Sequence, residues 1–227
     1  MKLSVIIPVY NEKNTVVEVI EKVRNVPLEK EIIVVDDGGT DGTRDRLSQI
    51  QKTQDFRMIL KNKNEGKGSA IRTGLKEATG DVIIIQDADL ECNPNEIATL
   101  FNAWSNNSPV VYGSRFLSKK NKLPLHSLFA NKFLTWLTNF LFKGSITDME
   151  TCYKLISKDI LLSLSLEQNG FEIEPEITCK ILKKGYKIKE VPISYCPRNK
   201  DKGKKICWKD GIKAIFYIVG LRLKIKK

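Results

Sequence analysis

The stretch that most constrains this chain is residues 80–90. There, four consecutive apolar residues, Val82, Ile83, Ile84 and Ile85, run almost directly into two aspartates, Asp87 and Asp89. An unbroken apolar run of that length reads as a strand covered on both faces, the habit of a parallel sheet. In open α/β sheets, ligands bind just past the carboxyl ends of the strands. Two carboxylates separated by one small residue at such a place offer hard oxygen ligands. That set suits Mg2+ or Mn2+, which binds through one or two carboxylates plus substrate phosphates. The same aspartates could also do no more than shape the following turn. The neighbouring strand ends decide between these readings.

Those ends repeat one pattern. Residues 3–7 form a short β-branched strand that Pro8 is expected to end. A loop with Tyr10 and Glu12 follows, then a helix over 14–26 with Val16, Val19, Ile20 and Val23 on one face. The second strand, 31–35, runs into a loop of three Asp and three Gly over 36–42. So permissive a loop can bring a carboxylate against a ribose or a base edge, or be a plain turn. A helix over 43–52 and a strand over 56–60 come next. Residues 64–74 then open a helix with glycines and two cations, Lys67 and Arg72. The spacing is not that of a phosphate-binding loop, so a helix start pressed close to the sheet is expected. Beyond Asp89, a helix over 94–104 starts with Pro94, and a strand over 110–112 leads into Gly113, Ser114 and Arg115. Strand–helix alternation of this kind predicts a parallel sheet with right-handed crossovers.

The second half is less regular. Over residues 123–142, Phe129, Phe133, Trp136, Leu137 and Phe140 share one helical face, with Asn131, Lys132, Thr135, Thr138 and Asn139 opposite. Lys119, Lys120 and Lys122 precede them. This pattern fits a helix lying in a membrane interface, or equally one covering the core. Residues 147–154 read as a polar loop entering another strand. Residues 170–177 carry Glu172, Glu174 and Glu176, and 190–195 read as a strand. The loop at 197–205 holds Arg198, Lys200, Lys202, Lys204 and Lys205, with Gly203 as a hinge, and could fold over phosphates. A helix over 208–223 has an apolar stretch, 214–221, too short to span a bilayer. It leads into Arg222, Lys224, Lys226 and Lys227, basic residues suited to an anionic leaflet.

The net charge of +11 calls for a polyanionic partner: an anionic membrane surface or sugar-nucleotide phosphates. No zinc-finger, RNA-binding or helix-turn-helix signature accompanies it, so nucleic acid is not expected. No apolar run reaches about 18 residues, and the chain opens on a strand rather than a leader. The five cysteines form no Cys-x-x-Cys, as expected for a reducing compartment. The single histidine, His126, has no partner for a triad or metal cluster.

Taken together, these residues resemble family 2 glycosyltransferases, and within them the polyprenyl-phosphate (dolichyl-phosphate) mannosyl- and glucosyltransferase group. The resemblance is carried by residues 5–12, 34–38, 64–68, 87–90, 113–115, 147–148 and 190–195 with Arg198. It implies a GT-A fold: a Rossmann-like, mostly parallel central sheet flanked by helices, here with amphipathic interface helices about 123–142 and 208–223. One catalytic domain would span 1–227, with a nucleotide-sugar half (1–117) and an acceptor half (118–227). Pro8, Tyr10, Glu12, Val35 and Asp37 would hold the donor nucleoside. Asp87, Ala88, Asp89 and Glu91 would surround a Mg2+ or Mn2+ ion and the sugar diphosphate, with Asp87, Asp89 and Glu91 as metal ligands. Arg115, Arg198 and Lys204 would hold phosphates, and Asp87, Asp89 and Arg115 would carry the chemistry. Gly39 stands where the family usually has Ser, and Glu91 where mannosyl members often have Gln.

The resemblance implies inverting transfer of mannose or glucose from a GDP-mannose or UDP-glucose type donor to dolichyl or undecaprenyl phosphate. It would take place peripherally on the cytoplasmic face of a membrane. A phosphate acceptor is already charged near neutral pH and needs no general base. The rival reading, transfer to a hydroxyl, needs a carboxylate base, for which Glu174 and Glu176 are the candidates. A non-catalytic nucleotide-binding protein is the alternative outside enzymes. Nucleotidyl transfer would need a glycine-rich loop where Pro8 to Glu12 stand.

Overall fold

The computed structural model describes residues 1–119, 121, 123–198 and 208–223, apart from the side chain of His126. Lys120, Lys122, Lys200, Lys202, Gly203, Lys204, Lys205, Lys224, Lys226 and Lys227 lie outside the described residues. The elements in order are β1 Leu3–Val9, α1 Val16–Arg24, β2 Lys30–Asp36, α2 Thr43–Gln51, β3 Arg57–Leu60, α3 Lys67–Glu77 and β4 Val82–Ile85. A single 3₁₀ turn at Pro94–Glu96 precedes α4 Ile97–Ala103. The second half holds β5 Val110–Ser114, α5 Leu125–Phe142, β6 Lys154–Ser157, α6 Lys158–Ser163, α7 Ile173–Lys183, β7 Lys189–Pro192 and α8 Trp208–Leu223.

The strands form one sheet in the order β3-β2-β1-β4-β6-β5-β7. Pairings β1–β2, β1–β4, β2–β3 and β5–β7 are parallel, and β6 runs antiparallel to both β4 and β5. The apolar runs alternate cleanly between two cores. Val5, Ile7, Val34, Val82 and Ile84 face α1, α2 and α4, and Ile6, Ile33, Val35, Ile83 and Ile85 face α3, α6 and α7. A strand buried on both faces has no polar side to show, which is why Val82 to Ile85 carries none.

Two expectations are corrected. Pro8 does not end β1 but pairs within it, opposite Val35. Pairing to β4 stops at Ile6, so past that point the β4 side of β1 asks for no ladder N–H, which proline lacks. The helix over 94–104 is split into the 3₁₀ turn and a shorter α4. The three glutamates of 172–176 enter a helix, α7, with Glu174 and Glu176 in its first turn, where the helix dipole favours them.

α5, α7 and α8 enclose a third, smaller core around Leu134, Phe142, Met149, Cys179 and Ile218. α5 turns Leu134, Phe142, Thr135 and Thr138 toward it and leaves four of its rings outside. Thr135 and Thr138 are buried, and Phe129, Phe133, Trp136 and Phe140 are 48–70% exposed. The reason is local. Thr135 Oγ1 accepts the Met149 N–H at 3.1 Å, and Asn139 bonds both the N–H and the C=O of Ile146. The polar face satisfies the backbone of the 146–149 loop, so the aromatic face is left outside.

Candidate active site

The sheet order reverses between β1 and β4: β2 and β3 were added on one side of β1, and β4 returns to the other. Such a reversal leaves a crevice at the carboxyl ends of the two strands. Tyr10 and Glu12 follow β1 there, and Gln86, Asp87 and Asp89 follow β4. The carboxylate pair therefore stands at the switch point of the sheet.

Asp89 is the most crowded of these groups. Burial raises its carboxyl, the neighbouring charges of Asp87 and Glu91 raise it further, and it is pushed up to about 7. Its Oδ1 accepts the Glu91 N–H at 3.1 Å. A divalent cation would relieve this crowding directly, so the residues fit one. Among the described residues, no three ligating side chains converge. The shell the protein offers is thus partial, to be completed by water or phosphate oxygens, as Mg2+ and Mn2+ sites commonly are. Asp87 is held by Lys67, whose Nζ lies 2.7 Å from Oδ1 and 2.9 Å from Oδ2. Glu91 accepts the Tyr195 hydroxyl at 2.6 Å and the Arg198 N–H at 2.8 Å.

Arg198 joins the two loops of the crevice. Its Nε donates to Asp89 O at 2.9 Å and its guanidinium meets Glu12 Oε2 at 2.7 Å. Glu12 is fixed in turn, its N–H donating to Thr43 Oγ1 at 2.9 Å. Arg115 lies 5.1 Å from the centre of the Tyr195 ring and donates two hydrogen bonds of 2.7 Å to Asp148. Both partners of that ion pair are buried. Burial opposes the Arg115 charge, and Asp148 outweighs it, holding the guanidinium firmly protonated. Glu12, Asp89, Glu91, Arg115 and Arg198 are thereby brought together in one contiguous set.

Other expected residues stand elsewhere. Asp37 accepts from Lys61 Nζ, Glu65 N–H and Gly66 N–H, at 2.6–3.2 Å, and so anchors the start of α3. Val35 packs in the core on the α3 side and Ala88 in the core on the α1 side. Pro8 lies within β1 and Tyr10 just past it. Lys204 lies outside the described residues. Two hollows of about 320 and 370 Å³, at Lys13, Gly42 and Asp45 and at Thr79, Asp81 and Lys158, are lined by none of these side chains.

Both glutamates expected as bases already have partners. Glu176 accepts the N–H groups of Glu167 and Gln168 and the Lys180 ammonium, at 2.7–3.1 Å. Glu174 is paired with Lys67 at 2.8 Å and with the buried Lys154. Burial alone would raise its carboxyl, but Lys154 and Lys67 reverse the effect and hold it below the ordinary value. In the hydroxyl-acceptor reading, either glutamate would have to give up these partners to take a proton.

Lys154, Asp148 and Glu150 were not among the expected site residues. A buried arginine after β5 demands a carboxylate, but no periodicity in the sequence says which one. Glu150 is pushed up to about 7 by burial, and its Oε1 is buried without a hydrogen-bond partner.

The family model for glycosyl transferase family 2 matches residues 4–164. The chain is 32% identical over 216 residues to a dolichol-phosphate mannosyltransferase of Pyrococcus furiosus, covering 91% of this chain and 61% of that one. It is 38% identical over 105 residues to an undecaprenyl-phosphate 4-deoxy-4-formamido-L-arabinose transferase of Proteus mirabilis, covering 44% of this chain and 32% of that one. It thus spans less than two thirds of either relative. Its fold matches glucosyl-3-phosphoglycerate synthase from Mycobacterium tuberculosis, solved with Mn2+, UDP and phosphoglyceric acid. The TM-score is 0.70 at 20% identity, over 100% of this chain and 80% of that one.

Proposed function

The chain belongs to glycosyltransferase family 2, and from that premise we propose that it transfers a hexose, mannose or glucose, from a nucleotide sugar to a polyprenyl phosphate at a membrane surface. The observation that carries the acceptor class is the locking of Glu174 and Glu176 by lysines and backbone N–H groups. A phosphate oxygen needs no proton removed before it attacks, so this scheme needs no general base. The two polyprenyl-phosphate transferases among the relatives support the same reading.

In this scheme Asp89, with Asp87 beside it, would hold a Mg2+ or Mn2+ ion, which would supply Lewis-acid stabilisation of the leaving nucleoside diphosphate. Arg198 fixes the carboxylate turn to Glu12 and so holds the two walls of the crevice at one spacing. Glu91 orients Arg198 and Tyr195. Arg115, held by Asp148, packs against the Tyr195 ring and would keep that side of the site in place. An acceptor attacking the anomeric carbon opposite the diphosphate inverts the configuration.

The membrane surface is supported by the exposed side chains of two packed helices. Leu125, Phe129, Phe133, Trp136 and Phe140 on α5, and Trp208, Ile212, Phe216 and Leu223 on α8, are 42–74% exposed. Lys132, Lys143, Lys209, Lys213 and Arg222 are exposed around them. An apolar face with a cationic rim is the pattern of a helix pair lying in an interface. Among the described residues, no helix is long and apolar enough to cross a membrane.

The test is incubation with labelled GDP-mannose or UDP-glucose, undecaprenyl or dolichyl phosphate in vesicles, and Mn2+, followed by lipid extraction. Label in the organic phase is the expected result. Label passing only to water or to a soluble acceptor such as 3-phosphoglycerate would overturn the lipid acceptor.

A further inference from the structure

Gly66, Lys67 and Gly68 lack the spacing of a phosphate-binding loop, and the scheme above gives them no task. Their geometry is specific. Gly66 has φ 104, and a Cβ there would lie 2.4 Å from Asn169 O; one on Gly68 would lie 2.3 Å from Gln168 O. The two glycines let the first turn of α3 press against the backbone just before α7. The Ser69 N–H closes that contact on Asn169 O at 3.1 Å, and Arg72 bonds the Asn169 side chain.

This close approach carries Lys67 across to α7. Its Nζ lies 2.8 Å from Glu174 Oε1 as well as 2.7 Å from Asp87 Oδ1. Lys67 donates a hydrogen bond to Asp87 Oδ2 at 2.9 Å, and its contacts with Asp87 Oδ1 and Glu174 Oε1 are ion pairs. Glu174 pairs on its other side with Lys154, which also donates to Thr151 O at 2.5 Å. The result is a string of alternating charge, Asp87, Lys67, Glu174, Lys154. Side-chain exposure falls along it from 25% through 13% and 4% to 0%. It starts at the crevice and ends inside the protein.

We propose that this string is a positioning device for the carboxylate turn: Glu174 and Lys154 hold the Lys67 ammonium on Asp87, and that ammonium sets how much negative charge the turn presents to a divalent cation. Lys67 and Glu174 are positioning residues here, acting through Asp87. The inference rests on the metal-dependent reading above and deepens it. Its physical content is a sign. Removing the Lys67 charge leaves the Asp87 carboxylate without its counter-charge beside Asp89 and favours the cation. Removing the Glu174 charge leaves the ammonium unshared and disfavours it.

The experiment measures Mn2+ binding by the electron paramagnetic resonance of free Mn2+, without nucleotide, on wild type, Lys67→Met and Glu174→Gln. Lys67→Met is expected to bind Mn2+ about tenfold more tightly and Glu174→Gln several-fold more weakly. General loosening of the fold would weaken both variants, so opposite directions are the signature. Unchanged or weaker binding by Lys67→Met overturns the proposal. Should Glu174→Gln fail to fold, with two ammonium groups left facing each other, Lys67→Met decides alone, because it keeps the Glu174–Lys154 pair. Wild type that binds Mn2+ neither alone nor with GDP or UDP added refutes the metal reading itself, a failure distinct from equal binding by all three proteins.

Discussion

Asp37, Asp87, Asp89 and Asp148 are short carboxylates in the loops that flank the sheet, and their partners give them different work. Asp37 receives two backbone N–H groups and a lysine, which makes it a structural anchor. Asp89 receives one N–H and two like charges, which makes it the group most in need of a cation. Asp148 receives the Arg115 fork. Breaking one side of a buried pair leaves the other charge without compensation. Asp148→Asn should therefore lower stability by about 3 kcal/mol, read from the urea midpoint. Glu150 gives a pH signature. Its carboxyl rises from an ordinary 4.5 to about 7 in the folded chain, through burial first and then the nearby Glu174 and Asp148, against Lys154 and Arg115. Between those values the folded state holds a proton that the unfolded state has lost, so this group's contribution to stability falls as pH rises through that window. Glu150→Gln should flatten the fall and raise stability at about pH 8 by on the order of 2 kcal/mol. Denaturant titrations from acid to mildly basic pH on both proteins would show it.

Among the elements, α5 is the one whose amphipathicity points the opposite way from a core-covering helix. Three of its rings stack on one another, with centroids 5.9 Å apart for Phe133 and Trp136 and 5.7 Å for Trp136 and Phe140, and all three are exposed. Exposed rings contribute little to folding but about 1.5–3 kcal/mol each on entering an apolar phase. Trp136→Ser with Phe140→Ser should leave the melting temperature within about 2 °C. The same pair should reduce co-sedimentation with anionic vesicles at least tenfold. Equal loss of both properties would mean that the rings are part of the core. α3 gives the converse case, where a change of one methyl matters. The Cβ of Gly68→Ala would meet Gln168 O at 2.3 Å, backbone against backbone. Overpacking of this sort costs about 1–3 kcal/mol, measurable by thermal melting, whereas Gly211→Ala, with nothing within 4 Å, should not destabilise α8.

For the molecule as a whole, the sheet order and the charge act together. The reversal between β1 and β4 makes the crevice, and β6, slotted antiparallel between β4 and β5, carries Lys154 from the second half into the first. The surplus of positive charge, +11, acts over a longer range. Screening shortens that range to about 3 Å at 1 M salt. Binding to anionic vesicles should therefore weaken steeply as salt rises. A residue of binding that salt does not remove should survive in wild type and be lost in the Trp136→Ser, Phe140→Ser protein. Binding insensitive to salt from the outset would deny the cationic rim any role.

Much of the fold was readable because buried parallel strands and covering helices leave strong one-dimensional marks. Apolar runs of four to seven residues, helical faces such as Val16, Val19, Ile20 and Val23, and polar residues directly after strands follow from local geometry. They placed Glu12, Asp87 and Asp89 at one end of the sheet, whereas Arg198 was joined to them only through the family resemblance. What the linear chain could not hold was the pairing of charges, since Lys67 and Glu174, or Arg115 and Asp148, meet only when distant elements pack. Local patterning could not say which face of α5 turns inward, because threonines that cap a loop and rings that fill a core are both ways of burying a helix. That choice fell to the unpaired backbone groups of residues 146–149, which needed Thr135 and Asn139 and so left the rings facing out.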